Sequence, residues 1–130
     1  MLRPSLDRFT ELAAEGNLVP LAREIMADLD TPLSIFKRLD DGEASFLLES
    51  VEGGEKWGRF SFIGTGSRAV FSARGREVEW RAQGQVERFT AVGDPLEILR
   101  ERLAAYQLVL PAELDLPRFI GGAVGMVGYD

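Results

Sequence analysis

Apolar positions recur along this chain with two different periods. Helical spacing comes first, in residues 5 to 15, where Ser5 can cap and Leu6, Phe9 and Leu12/Ala13 share a face, with Gly16 placed to end the helix. Val19, Leu21 and Ile25 then alternate with polar or small residues, which predicts a strand, and Pro20 places it at an edge. "DTPLSIFKRLDDG" returns to helical spacing, with Thr31 as cap, Pro32 in the first position and Ile35, Phe36 and Leu39 as the stripe. From "EASFLLES" onward the alternation is that of strands: "RFSFIG", "RAVFSAR", "REVEWRA" and "QVERFTAV", with Gln83-Gly84 as a tight turn between the last two. "DPLEILRERLAAY" carries the strongest helical pattern, opened by Asp94 and Pro95, with Glu97 placed for a capping box and Leu96, Leu99, Leu103 and Tyr106 on one face. "LPAELDLP" reads as a loop, and "RFIGGAVGMVGYD" as a Gly-rich strand or strand pair.

Helices and strands in this order do not repeat as βαβ units. Adjacent strands with short turns predict an α+β domain, mainly antiparallel sheet with about three helices. No internal repeat or interior linker divides the chain, so residues 1–130 are expected to form a single domain. Composition narrows the chemistry. The 130 residues are 45% apolar and 28% charged, which is globular rather than disordered. Without Cys or His the chain has no thiolate nucleophile, no imidazole base and no cysteine or histidine metal ligand. A net charge of −6 without a basic stripe argues against a nucleic-acid partner. No apolar run approaches the ~20 residues of a membrane span. Residues Met1 to Asp7 lack the apolar segment of an export signal, so a cytoplasmic location is expected.

Four stretches invite a chemical reading. "GTGSRA", residues 64 to 69, fits a dinucleotide-binding pattern, but that motif needs a helix to start at its glycines and a strand pattern follows instead; it reads as a β-turn. "GGAVGMVG" lacks the Gly-Lys-Ser/Thr ending of a phosphate loop and reads as a place of close backbone approach. Trp80, in an alternating strand, is expected in the core. Trp57, between Lys56 and Gly58, is expected exposed or interfacial, where a neighbouring cation either solvates the loop or stacks on the indole. The fourth is "LLES". An apolar strand that ends in Glu49 and Ser50 is either a cap or turn, or the polar end of an amino-acid slot. In the second case Glu49 takes the ammonium group, a cation such as Arg59 or backbone amides the carboxylate, and Phe46 and Leu48 form the floor.

"LLES" followed by "KWGRFSFIG", residues 56 to 64, resembles the N-terminal region of the large chain of anthranilate synthase, component I. "NLVPLAREIMADLDTPLSIFKRL", "DPLEILRERL" and "PRFIGGAVGMVGYD" resemble further segments of that family in the same order, so the resemblance spans about residues 8 to 130. Met126 stands where the family often has Tyr. The resemblance implies that Glu49 and Ser50 match tryptophan-contacting positions of the feedback site. Arg59, across a loop whose length varies in the family, is the third candidate.

The resemblance further implies a C-terminal chorismate-binding domain, beyond Asp130, which supplies the other wall of that site, the catalytic groups and the Mg²⁺ ligands. It implies a glutamine amidotransferase, component II, as partner. No catalytic residue, metal or cofactor is then expected within these 130 residues, and the chain alone is expected to be inactive. Left without its second domain, the Gly-rich end is expected to pair with another copy. Two alternatives stand beside this: the matching domain of aminodeoxychorismate synthase component I, which "KxGRxSFIG" disfavours, and an autonomous small-molecule binding module.

Overall fold

The computed structural model describes residues 1–49 and 60–128, which form an α+β arrangement of three helices and antiparallel strands. The chain divides into two compact units, Met1–Met26 with Gly93–Asp130, and Ala27–Val92.

In the first unit, β1 (Leu2–Arg3) pairs antiparallel with β2 (Ala22–Arg23). Helix α1 (Leu6–Leu12) starts at Ser5, whose hydroxyl accepts from the Arg8 N–H, and it buries Leu12. It stops at Ala13, short of Gly16. Gly16 serves packing instead of capping: a Cβ there would lie 2.5 Å from the Gln107 carbonyl oxygen and 2.6 Å from Val109 Cγ2. Beside it, the Asn17 side chain donates to the Ala105 carbonyl at 2.7 Å and accepts from the Gln107 N–H at 2.6 Å. Its own N–H, and that of Leu18, donate to the Gln107 carbonyl. One side chain thus satisfies an orphan carbonyl at the end of α3 (Pro95–Ala104) and joins segments 88 and 90 residues apart in sequence.

Three expectations fail in this unit. The strand through Val19, Leu21 and Ile25 reduces to the two residues of β2 and a single parallel bridge between Leu18 and Leu108. Pro20 has no N–H to offer a ladder, and the polar groups of Leu18 are already taken by Gln107 and Val109. Leu21 and Ile25 remain exposed. Residues 118–128 contain no strand. Gly121 and Gly122 adopt φ of 156° and 129°, values an L-residue strand does not use, and Met126 and Val127 face solvent. The expected capping box of α3 is also absent. Asp94 accepts from the Leu96 N–H, while the Glu97 carboxylate takes a hydrogen bond from Arg100 instead.

The second unit holds α2 (Pro32–Leu39), β3 (Phe46–Glu49), β4 (Ser61–Gly64), β5 (Ala69–Arg74), β6 (Glu77–Ala82) and β7 (Gln85–Thr90). The capping box falls at α2, where Thr31 and Ser34 exchange hydrogen bonds. Strands β5, β6 and β7 form a meander. Its first turn has φ of 56° at Gly75, and its second has φ of 52° and 75° at Gln83 and Gly84, so both match the right-handed twist of hairpins. Register puts Phe71, Val78, Trp80 and Phe89 on one face, with Phe71 edge-on to Trp80 at 6.4 Å. The other face carries Glu77, Glu79, Arg81, Arg88 and Thr90, with Glu79 bridging Arg88 at 2.8 Å and Arg81 at 3.3 Å. Val78 is buried, while Trp80, expected in the core, is only half-buried. Arg76, in the first turn, closes the sheet: its Nε donates to the Ala91 carbonyl at 2.7 Å, its Nη2 to that of Val92 at 2.6 Å, and its own carbonyl accepts from the Ala91 N–H.

Each clamp generates a test. Asn17→Ala removes two hydrogen bonds of roughly 0.5–1.5 kcal/mol each, so amide exchange at Gln107 and Val109 is expected to quicken about tenfold. Arg76→Lys keeps the charge but loses the planar fork. Chemical denaturation followed through Trp80 is expected to show a loss of about 1–2 kcal/mol.

Candidate functional site

The strand that ends in Glu49 is placed by local chemistry on both sides. Before it, the Asp41 carboxylate accepts from the Glu43 N–H at 3.1 Å and from the Ser45 hydroxyl at 3.3 Å. The Glu43 N–H bond is the main reason that the Asp41 carboxyl lies below its ordinary value. Asp40 accepts from the Gly42 N–H, where φ is 77°. After β4, the Ser67 hydroxyl donates to the Ala44 carbonyl at 2.6 Å, so the loops entering β3 and leaving β4 are joined. Gly66, in the "GTGSRA" stretch, has φ of 62° and strand β5 follows it; no helix begins there.

β3 and β4 pair antiparallel, Phe46 opposite Gly64, Leu47 opposite Ile63, Leu48 opposite Phe62 and Glu49 opposite Ser61. α2 packs against this ribbon. Phe46 lies across Gly64 so closely that a Cβ at 64 would overlap the ring at Phe46 Cε1. Phe60 and Phe62 stack obliquely with centroids 6.1 Å apart.

Side chains alternate across a strand, and this corrects one part of the expected slot. Phe46 and Leu48 share a face with Phe62, whereas Glu49 shares the opposite face with Leu47, Ser61 and Ile63. The apolar neighbours of Glu49 on the ribbon are therefore Leu47 and Ile63. Both are half-buried, while Glu49 and Ser61 are exposed. Ser50 and Arg59, the other two candidate residues, lie outside the described residues, as do Lys56 and Trp57.

The chain matches known proteins over nearly all of its length. It is 48% identical to the anthranilate synthase component 1 of Pseudomonas aeruginosa over 126 residues, 95% of this chain. It is 44% identical to that of Synechocystis over 133 residues and 40% identical to that of Acetivibrio thermocellus over 131, each covering 100% of the chain. The chain belongs to the N-terminal region of this family. It spans about a quarter of the length of these relatives (25–26%). No family model matches it, and no solved structure matches it significantly.

Of the stretches that carry the resemblance, "LLE", residues 47 to 49, and "SFIG", residues 61 to 64, lie on the two strands that pair. Elsewhere in the same unit a hollow of about 590 Å³ is lined by Ser67, Arg68, Arg81, Gln83 and Gln85 among others. Glu49 does not line it. Of the two guanidinium groups that line it, that of Arg81 is paired with Glu79, and no polar side chain among the described residues is buried. Among the described residues no group of three or more Asp or Glu is placed to hold a metal ion. No described helix is long and apolar enough to cross a membrane.

The close approach at Gly64 is testable. Gly64→Ala forces the Phe46 ring aside, and overpacking of this kind costs about 1–3 kcal/mol. Amide exchange across β3 and β4 is expected to accelerate at least tenfold. Adding Phe46→Leu, which vacates the space, is expected to restore part of the protection.

Proposed function

We propose that this chain is the N-terminal part of an anthranilate synthase large chain and that it supplies one wall of a tryptophan feedback site. The observation that carries the reading is 40–48% identity to anthranilate synthase component 1 along 95–100% of the chain. The parent reaction is then the amination and aromatisation of chorismate to anthranilate with release of pyruvate. Glutamine supplies ammonia through a component II amidotransferase, and the downstream chorismate-binding domain carries the acid/base groups and the Mg²⁺ site. The location is cytoplasmic. The shared name of the relatives favours this over the aminodeoxychorismate alternative.

Within this reading Glu49, Ser50 and Arg59 bind tryptophan. Glu49 accepts from the ammonium group, and its exposed place at the ribbon end leaves it accessible to a ligand. Arg59 or backbone amides take the carboxylate. The second wall comes from the downstream domain. Exposure of apolar side chains supports an incomplete unit: Phe60 is 52% exposed, Leu39 52% and Leu48 43%, although their spacing marks them for burial.

Two measurements test this. The 130-residue chain, given chorismate, ammonia and Mg²⁺, is expected to show no anthranilate fluorescence; formation of anthranilate would overturn the role assigned here. In the full-length protein, Glu49→Ala is expected to weaken tryptophan binding about tenfold to a hundredfold, the equivalent of one charge-assisted hydrogen bond of about 1.5–3 kcal/mol. Ser50→Phe is expected to relieve inhibition by filling the slot. Calorimetry showing parent affinity in Glu49→Ala would remove Glu49 from the site.

A further inference from the structure

We propose that the hollow at the β6–β7 turn end of the meander is a second binding site, which takes a small anion by its carboxylate or phosphate oxygens, with Arg68 and Arg81 as the cationic groups. The site is independent of the tryptophan site proposed above, since Glu49 does not line it. It lies wholly within the unit Ala27–Val92, between the loop before β3, the start of β5 and the β6–β7 turn. Its volume of about 590 Å³ falls in the range of small-molecule sites, roughly 300–1,000 Å³. The chain carries a net charge of −6, yet the charged residues that line this hollow are Arg68, Arg81 and Glu43, an excess of positive charge. A cleft with one sign of charge in excess concentrates ligands of the other sign.

Arg81 stands on the central strand, paired in register with Val70 of β5 and Val86 of β7. Its guanidinium meets the Glu79 carboxylate through Nε, at 3.3 Å. That carboxylate is shared, because its other oxygen accepts from Arg88 at 2.8 Å. One negative charge therefore faces two positive ones. No hydrogen bond to another described residue occupies the terminal nitrogens of Arg81. Those two nitrogens form the planar fork that matches an oxyanion bidentately. Arg68, the residue before β5, brings the second guanidinium to the same hollow.

The turn adds neutral donors. Gln83 has φ of 52°, a conformation uncommon outside glycine and asparagine. Asparagine suits such a turn; glutamine accepts the same backbone and carries its amide one methylene further. Backbone departures of this kind gather at binding sites. Gln83 and Gln85 both line the hollow, and their side-chain amides make no hydrogen bond to another described residue. Their N–H groups can donate to anionic oxygen. The wall beside Arg68 is held in place, because the Ser67 hydroxyl donates to the Ala44 carbonyl at 2.6 Å. Ser67 spends its proton there and so shapes the hollow, reducing the ordering that a ligand must supply.

The test uses the full-length protein, with inorganic phosphate and succinate as calorimetric probes at constant ionic strength in chloride. One saturable site of about millimolar affinity is expected, since its cations are exposed to water. Arg81→Gln and Arg68→Gln are each expected to weaken binding about tenfold or more, the loss of charge-assisted hydrogen bonds. Arg74→Gln removes the same charge from the far end of β5 and is expected to leave affinity within about twofold, because screening weakens a charge at that distance. Glu79→Gln withdraws the carboxylate that competes for Arg81 and is expected to tighten binding about threefold. Binding of phosphate alone, lost in the Arg68 and Arg81 variants, supports a phosphate-bearing ligand; succinate alone supports a carboxylate. Absence of saturable binding for both probes would overturn the proposal. So would an equal loss in Arg74→Gln, which would show only the general field of the sheet. Binding untouched by Arg68→Gln and Arg81→Gln would place the anion elsewhere in the protein and overturn it as well.

Discussion

The candidate site depends on one close contact, the Phe46 ring over Gly64. Backbone pairing alone leaves a short ribbon of four residues per strand free to slide, since every register makes similar hydrogen bonds. The ring removes that freedom because only a residue without a Cβ fits beneath it. From this follow the pairing of Glu49 with Ser61, the separation of Glu49 from Phe46 and Leu48, and the place of Leu47 and Ile63 beside the polar pair. The Ser67–Ala44 hydrogen bond ties the same end of the ribbon through the flanking loops.

Both units use the same economy. Where a sheet or helix is too small to hold itself together, one polar side chain bridges backbone groups that are distant in sequence. Asn17 does so between the segment after α1 and the end of α3; Arg76 does so between the β5–β6 turn and the residues after β7. Few apolar side chains are buried behind these clamps. Leu12, Val78 and Ala91 are almost fully covered, but Leu33, Leu39, Leu48 and Phe60 are not. The clamps preserve local geometry while much apolar surface stays open.

Much of the fold was legible because its signals are local. Thr31-Pro32 and Asp94-Pro95 start helices through caps and a preset φ, and both helices begin there. Gln83-Gly84 makes its turn because both positions take positive φ. Strands β5 to β7 follow their alternation residue for residue, within one or two positions. The family could be read from "LLES" and "KWGRFSFIG" because rare combinations of residues, unlike periodicity, carry ancestry.

What the sequence could not show depends on partners. Alternation at Val19, Leu21 and Ile25 resembles a strand, yet a strand exists only where another supplies its hydrogen bonds, and Leu18 spends its own on Gln107 and Val109. Gly16 reads as a helix stop, but its smallness is needed by a segment some 90 residues away. The apolar run of 118–128 gives no hint that its glycines leave the strand region of φ. Glu49 was visible in the sequence as a carboxylate ending an apolar run. That it stands opposite Ser61, and not over Phe46 and Leu48, is decided by tertiary structure alone: spacing within one strand defines its two faces, but only pairing with a second strand determines what shares them.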